Sequence, residues 1–318
     1  MATIDTISFT THLDYIRGID MGKFKTSTIN KPNGLEIINH SLLDKRIGLD
    51  TISINQTFQT VKIKGSSKLL GSNYKKGISI STIEQFTDEI NKSGIELDQE
   101  YINDCSLQRV DIKNDLSLTK DAKYYIDAMN HLTAPKFYKT SYKTGISFNE
   151  TISTNPIRLS GYNKGIELST KNKSFLKQYP ILVNQFQGVL RVESSLPRTS
   201  VIKKYFGSNS LVDILSYNGL NHTVFKKIID NQISFKPNYN TLEMTNTEEK
   251  NFAQIYLLND KYNGDFNSIL RHIKRKLGKN TKASYQRGQI KKYLAIINNN
   301  KNNETIENIR EILDALKN

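Results

Sequence analysis

The clearest signal along the chain is apolar and polar residues alternating with a period of two, the mark of a half-buried β-strand. Residues 4–13 read this way, with Ile7 and Phe9 facing inward. Alternation returns over 51–64, where Ile52, Ile54, Phe58, Val61 and Ile63 predict a hairpin. Between them, 22–50 is polar and turn-rich around Lys31-Pro32-Asn33-Gly34, with little periodicity. Residues 107–118 predict a strong strand with Arg109, Asp111 and Lys113 on one face and Val110 and Ile112 on the other. A second hairpin is predicted from 146–151 and 157–168, and a further strand over 188–196 sets Arg191 and Glu193 opposite Leu190 and Val192.

Helical spacing is rarer in the first two-thirds of the chain. Residues 81–94 predict a helix capped by Ser81 or Thr82, with Ile83, Phe86 and Ile90 as its apolar stripe, and Asp121 opens another that runs to about His131. Pro180 interrupts 174–186 and leaves its type open. From Thr199 the chain turns helical, with apolar stripes over 248–259, 266–277, 284–298 and 304–317. Strands dominate before about residue 200 and helices after, so the expected fold is α+β. A central antiparallel sheet with flanking helices is expected over 1–210, and a helical, basic C-terminal region over 211–318. The last helix, 304–317, is acidic and reads as a packing element.

Composition adds a partner class. The 318 residues carry 45 Lys and Arg against 31 Asp and Glu, a formal charge of +14. That balance favours a polyanion, with nucleic acid first, although abundant Asn, Lys and Ile also suit an AT-rich coding sequence. Cys105 stands alone, which excludes an internal disulfide framework and a thiolate metal site. The first residues show neither a basic region nor an apolar run, and no apolar stretch approaches the ~20 residues of a membrane span. A cytoplasmic protein is expected.

Candidate chemistry centres on 158–168, Arg-Leu-Ser-Gly-Tyr-Asn-Lys-Gly-Ile-Glu-Leu. Read as a strand, this places Arg158, Ser160, Tyr162 and Lys164 on one face. A tyrosine near an ammonium is a candidate activated phenol, since a free phenol titrates near pH ~10 and needs a cation to favour its anion. The same pattern also describes a half-exposed strand with no chemistry. Two other strands pair cations and acids on one face, Arg109 with Asp111 and Arg191 with Glu193. Hard carboxylate oxygens suit Mg²⁺ or Mn²⁺, while an open, solvated sheet face would let the charges simply pair off. Phenol, divalent metal and cations together describe transesterification at a phosphodiester.

Six short pieces then follow one another across 1–210: Ile4-Asp5, Lys64-Gly-Ser-Ser-Lys-Leu-Leu-Gly-Ser-Asn73, Gln108-Arg-Val-Asp111, Phe148-Asn-Glu-Thr151, Tyr162-Asn-Lys-Gly-Ile-Glu-Leu168 and Leu190-Arg-Val-Glu193. Their order and spacing resemble the phage and plasmid rolling-circle replication initiators typified by the filamentous-phage replication endonuclease. The resemblance implies a relaxase- or initiator-like fold and a metal-dependent site-specific DNA endonuclease and strand transferase. Such an enzyme nicks and later rejoins one strand at an origin, in a bacterial host and beside its replication machinery. Tyr162 matches the nucleophile that joins the 5′ phosphate and frees a 3′ hydroxyl. Lys164 matches the motif lysine, assigned to the phenolate or the phosphate. Asp111 and Glu193 match acidic positions assigned to Mg²⁺ or Mn²⁺, with Glu167 a further candidate.

Arg109, Arg158 and Arg191 are the expected DNA contacts on the sheet, Arg109 and Arg191 alternatively pairing with the acids beside them. Lys274, Arg275 and Arg287 are the DNA contacts expected on the basic tail, whose cations alternatively form a solvated helix face. Residues 65–73 read as a plain turn or a backbone nest for phosphate. Tyr125, Tyr138, Tyr142 and Phe148 are candidates for stacking unpaired bases or for the core. Many rolling-circle initiators carry two histidines flanking one hydrophobic residue; the five histidines here never form that pattern, and His12 is the one placed to join a metal site or simply sit at the surface. Two other readings remain open: an origin- or operator-binding protein without nuclease activity, and a plasmid mobilisation relaxase.

Overall fold

Ten strands join into one antiparallel sheet in the order β3-β4-β5-β6-β1-β8-β12-β11-β10-β9. They are β1 (Thr3–His12), β3 (Phe24–Asn30), β4 (Glu36–Leu42), β5 (Leu49–Asn55), β6 (Thr60–Ser66), β8 (Ser106–Leu116), β9 (Phe137–Tyr142), β10 (Gly145–Glu150), β11 (Arg158–Asn163) and β12 (Leu190–Leu196). Two short strands, β2 (Ile16–Ile19) and β7 (Ile95–Leu97), pair separately. This computed structural model describes residues 3–229, apart from 45, 99–101, 103–104, 133, 135, 152–155 and 218, then scattered positions between 254 and 288, and residues 304–317.

The sheet repeats one scheme twice. In each half a long strand (β1 or β8) precedes a four-strand meander (β3–β6 or β9–β12), and the last meander strand returns to pair with the long one. β1 and β8 then pair with each other at the centre.

One face of the sheet is apolar. Ile7, Phe9, Ile52, Val61, Ile63, Val110, Phe148, Leu159 and Val192 are fully buried there. Helices cover it: α1 (Ile83–Asn91), α2 (Ala122–Asn130), α6 (Thr199–Phe206), α7 (Leu211–Ser216) and α8 (Leu220–Ile229), with α9 (Glu304–Ala315) against α2. Leu220, Val224, Phe225, Ile228, Ile312 and Leu316 therefore belong to the same core as the sheet. The α+β architecture with a helical C-terminus is as the alternation predicts. No helix among the described residues is long and apolar enough to cross a membrane.

The opposite face is polar, and only part of it is covered. A 3-10 segment, Ser67–Lys76, and three short helices, α3 (Lys164–Lys171), α4 (Lys173–Gln178) and α5 (Ile181–Gln185), roof the region of β1, β8 and β12. Tyr74, Leu168, Phe175, Leu182, Phe186 and Val189 form a second, smaller core there. Residues 65–73 are thus no plain turn: β6 runs to Ser66, and Leu69 and Leu70 of the 3-10 segment are buried.

Four differences from the sequence reading have physical causes. β3 and β4 occupy the stretch without periodicity, because β3, at one edge, is exposed at every position after Phe24 and has no apolar face to show. β9, the other edge, escaped because none of its residues is fully buried and its half-buried positions, Phe137, Lys139 and Thr140, are mostly polar. Phe58 lies in the β5–β6 turn and is 56% exposed, so it is no core residue. The strand expected over 157–168 ends at Asn163, whose side chain accepts from the Ile166 N–H at 3.1 Å and caps α3.

Candidate active site

Cross-strand registers place the site. Tyr162 on β11 faces Arg191 on β12, and Arg191 faces Asp115 on β8. One row over, Ser160 faces Glu193 and Glu193 faces Lys113; one further, Arg158 faces Ser195 and Ser195 faces Asp111. Side chains directly opposite share a sheet face, so these residues line the polar side together. Asp5 joins them through a bulge. Ile4 pairs with Ile112 and Thr6 with Asp111, leaving Asp5 as an extra residue whose carboxylate reaches Arg191.

Beneath the roof lies a buried charge network. Arg191, with no exposed surface, donates to both Asp115 oxygens at 2.6 and 2.8 Å, to Asp5 at 2.8 Å and to the Tyr74 hydroxyl at 2.9 Å. Lys113 donates to the carbonyls of Tyr74 and Lys75 and pairs with Asp115 at 3.3 Å. Lys164 pairs with Glu167 at 2.7 Å, and Asp5 also accepts from Ser67 at 2.9 Å. Three cations offset three carboxylates, which is what buried charges require. Burial and the Arg191 charge hold the Lys113 ammonium down to about 8. Burial raises the Asp5 carboxyl, but Arg191, Lys164 and Lys113 outweigh it and leave it well below the usual carboxylate range.

Tyr162 sits at the edge of this network. It is half-buried, and its hydroxyl donates to Glu193 Oε2 at 2.9 Å. Burial and the Glu193 charge push the phenol well above its ordinary value, with Arg191 opposing them. Glu193 makes no ion pair among the described residues. Burial, with the charges of Asp5 and Asp111, pushes its carboxyl up to about 7, against Arg191 and the Tyr162 hydrogen bond. Both groups open into a cleft of about 320 Å³ lined also by Tyr142, Ser147, Arg158, Ser160 and Lys171.

The other expected residues divide. Lys164 is not on the strand face: it begins α3, is buried, and its ammonium lies 5.6 Å from the Tyr162 ring centroid while bonding Glu167. The cation directly across from the phenol is Arg191. Fully buried, Arg191 cannot meet DNA phosphates as arranged here, and of its two expected roles it fills the pairing one. Arg109 pairs with Asp111 at 2.9 Å and also reaches Ser195, whose hydroxyl bonds Asp111. Arg158 lines the cleft and is exposed. His12 is exposed and caps a 3-10 turn, its Nδ1 accepting from the Asp14 N–H at 3.3 Å. Arg275 is exposed; Lys274 and Arg287 lie outside the described residues.

The proposed metal ligands also separate. Glu167 lines the cleft with Glu193, but its two oxygens are held by Lys164 and Asn172. Among the described residues no three His, Cys, Asp or Glu side chains gather closely enough to hold an ion. The donors that suit a hard divalent cation are the carboxylates of Asp111 and Glu193 on adjacent strands, although Asp111 is already held by Arg109 and Ser195.

Sequence reasoning missed Asp115, Tyr74 and the role of Asp5. Asp115 carried a usable signal, sharing the parity of Asp111 and Lys113 on β8. Asp5 carried a misleading one: strict alternation puts it with Ile7 and Phe9, and only the bulge turns it to the polar face. No family model, curated protein or solved structure matches this chain.

Proposed function

We propose that this protein is a rolling-circle replication initiator that nicks one DNA strand with Tyr162 as nucleophile. The observation that carries the reading is the Tyr162–Glu193 hydrogen bond opening into a cleft with exposed Arg158 and Lys171. A nucleophilic phenol needs a proton acceptor within hydrogen-bond reach, and a carboxylate titrating near neutrality is matched to that task. In the proposed step the Tyr162 oxygen attacks the phosphorus of a phosphodiester and its proton passes to Glu193. The new bond joins tyrosine to the 5′ phosphate, the P–O3′ bond breaks, and the 3′ oxygen leaves as a hydroxyl after taking up a proton from water.

Arg191, anchored by Asp115 and Asp5, lowers the cost of the phenolate from across the ladder. Lys164 acts at longer range and holds the first turn of α3 through Glu167. Mg²⁺ or Mn²⁺, held by Asp111 and Glu193, would stabilise charge on the phosphoryl oxygens. Arg158 and Lys171 suit the DNA backbone. A cytoplasmic setting and the host replication machinery as partner accompany this reading.

The test uses supercoiled DNA carrying the origin of the protein's own replicon, with Mg²⁺ or Mn²⁺. Wild type should nick one strand and retain a covalent 5′ attachment, and Tyr162→Phe should do neither. Nicking that persists in the phenylalanine variant would move the nucleophile elsewhere. Binding without nicking, on the right origin and with either metal, would leave an origin- or operator-binding protein.

A further inference from the structure

Of the four aromatics that could meet unpaired bases, the structure separates two from the core. Tyr125 and Phe148 are fully buried, whereas Tyr138 is 65% and Tyr142 60% exposed. Both exposed rings stand on β9, the open edge of the sheet, four residues apart and therefore on one face. That face is the polar one. Tyr142 faces Gly145 on β10, and Gly145 faces Tyr162; Tyr138 faces Asn149, and Asn149 faces Arg158.

The Tyr142 row has a gap at its middle. Gly145 carries no side chain, and a Cβ there would come within 2.6 Å of the Tyr162 Cβ. Between the two tyrosine rings the cleft floor is therefore bare backbone, across two strand spacings or about 10 Å. Tyr142 lines the same cleft as Tyr162 and Glu193. Exposed Arg158 and Lys171 line it too, with Glu167 and Glu193 the cleft's acids.

We propose that Tyr142, extended by Tyr138, is a stacking platform for bases of single-stranded DNA flanking the phosphate presented to Tyr162. This rests on the nicking reading for its placement, but the binding it describes can be measured without any cleavage. Charge selects the occupant, since the chain carries +14. At the cleft the exposed charges are Arg158 and Lys171, free to meet a phosphate backbone, while Glu167 is already paired with Lys164. The bare strip and exposed rings select single strands, because every unpaired base offers a π-face while duplex bases are stacked on one another.

The test is equilibrium binding of an end-labelled mixed-sequence single-stranded oligonucleotide carrying 2-aminopurine, without divalent metal. Wild type should bind it and alter the 2-aminopurine emission. Tyr142→Ala should weaken binding about 5- to 100-fold, the loss expected of one stacked base, while Tyr142→Phe retains it. Tyr138→Ala should show a smaller loss. Both residues are exposed, and unchanged thermal midpoints would confirm that the variants fold. No single-strand binding by wild type, Tyr142→Ala binding like wild type, or Tyr142→Phe losing as much as alanine would each overturn the platform. Stacking in a protein that never nicks would instead defeat only the nuclease reading, and nicking with unaltered Tyr142→Ala binding would defeat only the platform.

Discussion

Glu193 is the residue on which most of the proposed chemistry turns, and its titration gives a sign that can be checked. Its carboxyl is raised from the ordinary 4.5 to about 7 by burial and by the charges of Asp5 and Asp111. Between those pH values the folded protein holds a proton that the unfolded chain has released. Stability contributed at this position is therefore present below about pH 4.5 and is lost as pH rises through about 7. Glutamine can still accept the Tyr162 hydrogen bond without ionising. Glu193→Gln should be more stable than wild type by about 1–3 kcal/mol at pH 8, allowing for partial exposure, and no more stable at pH 4. Urea midpoints in chelator at the two pH values measure this. A gain that is the same at both would show that the carboxyl does not titrate as described. If Glu193 is also the proton acceptor, that variant should nick poorly despite its stability.

At the scale of elements, the decisive feature is the switch from β11 to α3 at Asn163 and Lys164. The strand delivers Tyr162 to the cleft; the helix carries Lys164 and Glu167 under the roof. Gly165 makes the switch tight, because a Cβ there would approach the Phe186 carbonyl oxygen to 2.6 Å. Two effects oppose each other in Gly165→Ala. Helix propensity favours alanine by about 1 kcal/mol. The contact is with backbone, which must shift, and overpacking of this kind costs about 1–3 kcal/mol. The clash should win, so this variant should unfold at lower urea than wild type. An unchanged or higher midpoint would mean that the α3–α5 roof yields easily.

For the whole molecule, the question is how far the folding unit extends past the sheet. Val224, Phe225 and Ile228 of α8 have no exposed surface, and the Asn221 side-chain amide donates to the Ile112 and Val192 carbonyls at 3.1 Å each. Removing α8 would strip the apolar face over β8 and β12 and remove those two hydrogen bonds. A chain truncated after residue 210 should therefore lose its cooperative urea transition and bind a hydrophobic dye, whereas one that includes 211–229 should be better protected. A sharp, wild-type-like transition in the shorter chain would show that 1–210 folds alone.

How much of this was legible follows from where each residue sits. Strands with one apolar face announced themselves, because a core on one side imposes a two-residue period on the sequence. β1, β5, β6, β8 and β12 all show it, although the roof buries the polar side of β8 and β12 as well. Helices α1 and α2 were equally plain, since each packs an apolar stripe on that face and Asp121 caps the second. The shared face of Arg109, Asp111 and Lys113, and that of Arg191 and Glu193, followed from the same alternation.

Edge strands were hidden, because β3 meets water on both sides and β9 has no fully buried residue, which leaves no apolar pattern to read. Pairing order was hidden too, and with it the site: only registers between distant strands bring Tyr162 to Arg191 and Glu193 to Lys113. A one-residue bulge reversed the side on which Asp5 points, and one capping asparagine turned Lys164 from a strand residue into a helix residue. The sequence by itself determined which residues seek water and which avoid it, hence the α+β class and the polar strand faces. Tertiary structure alone decided which charges meet, because that depends on strand register and on what roofs the sheet, and neither is a local property of the chain.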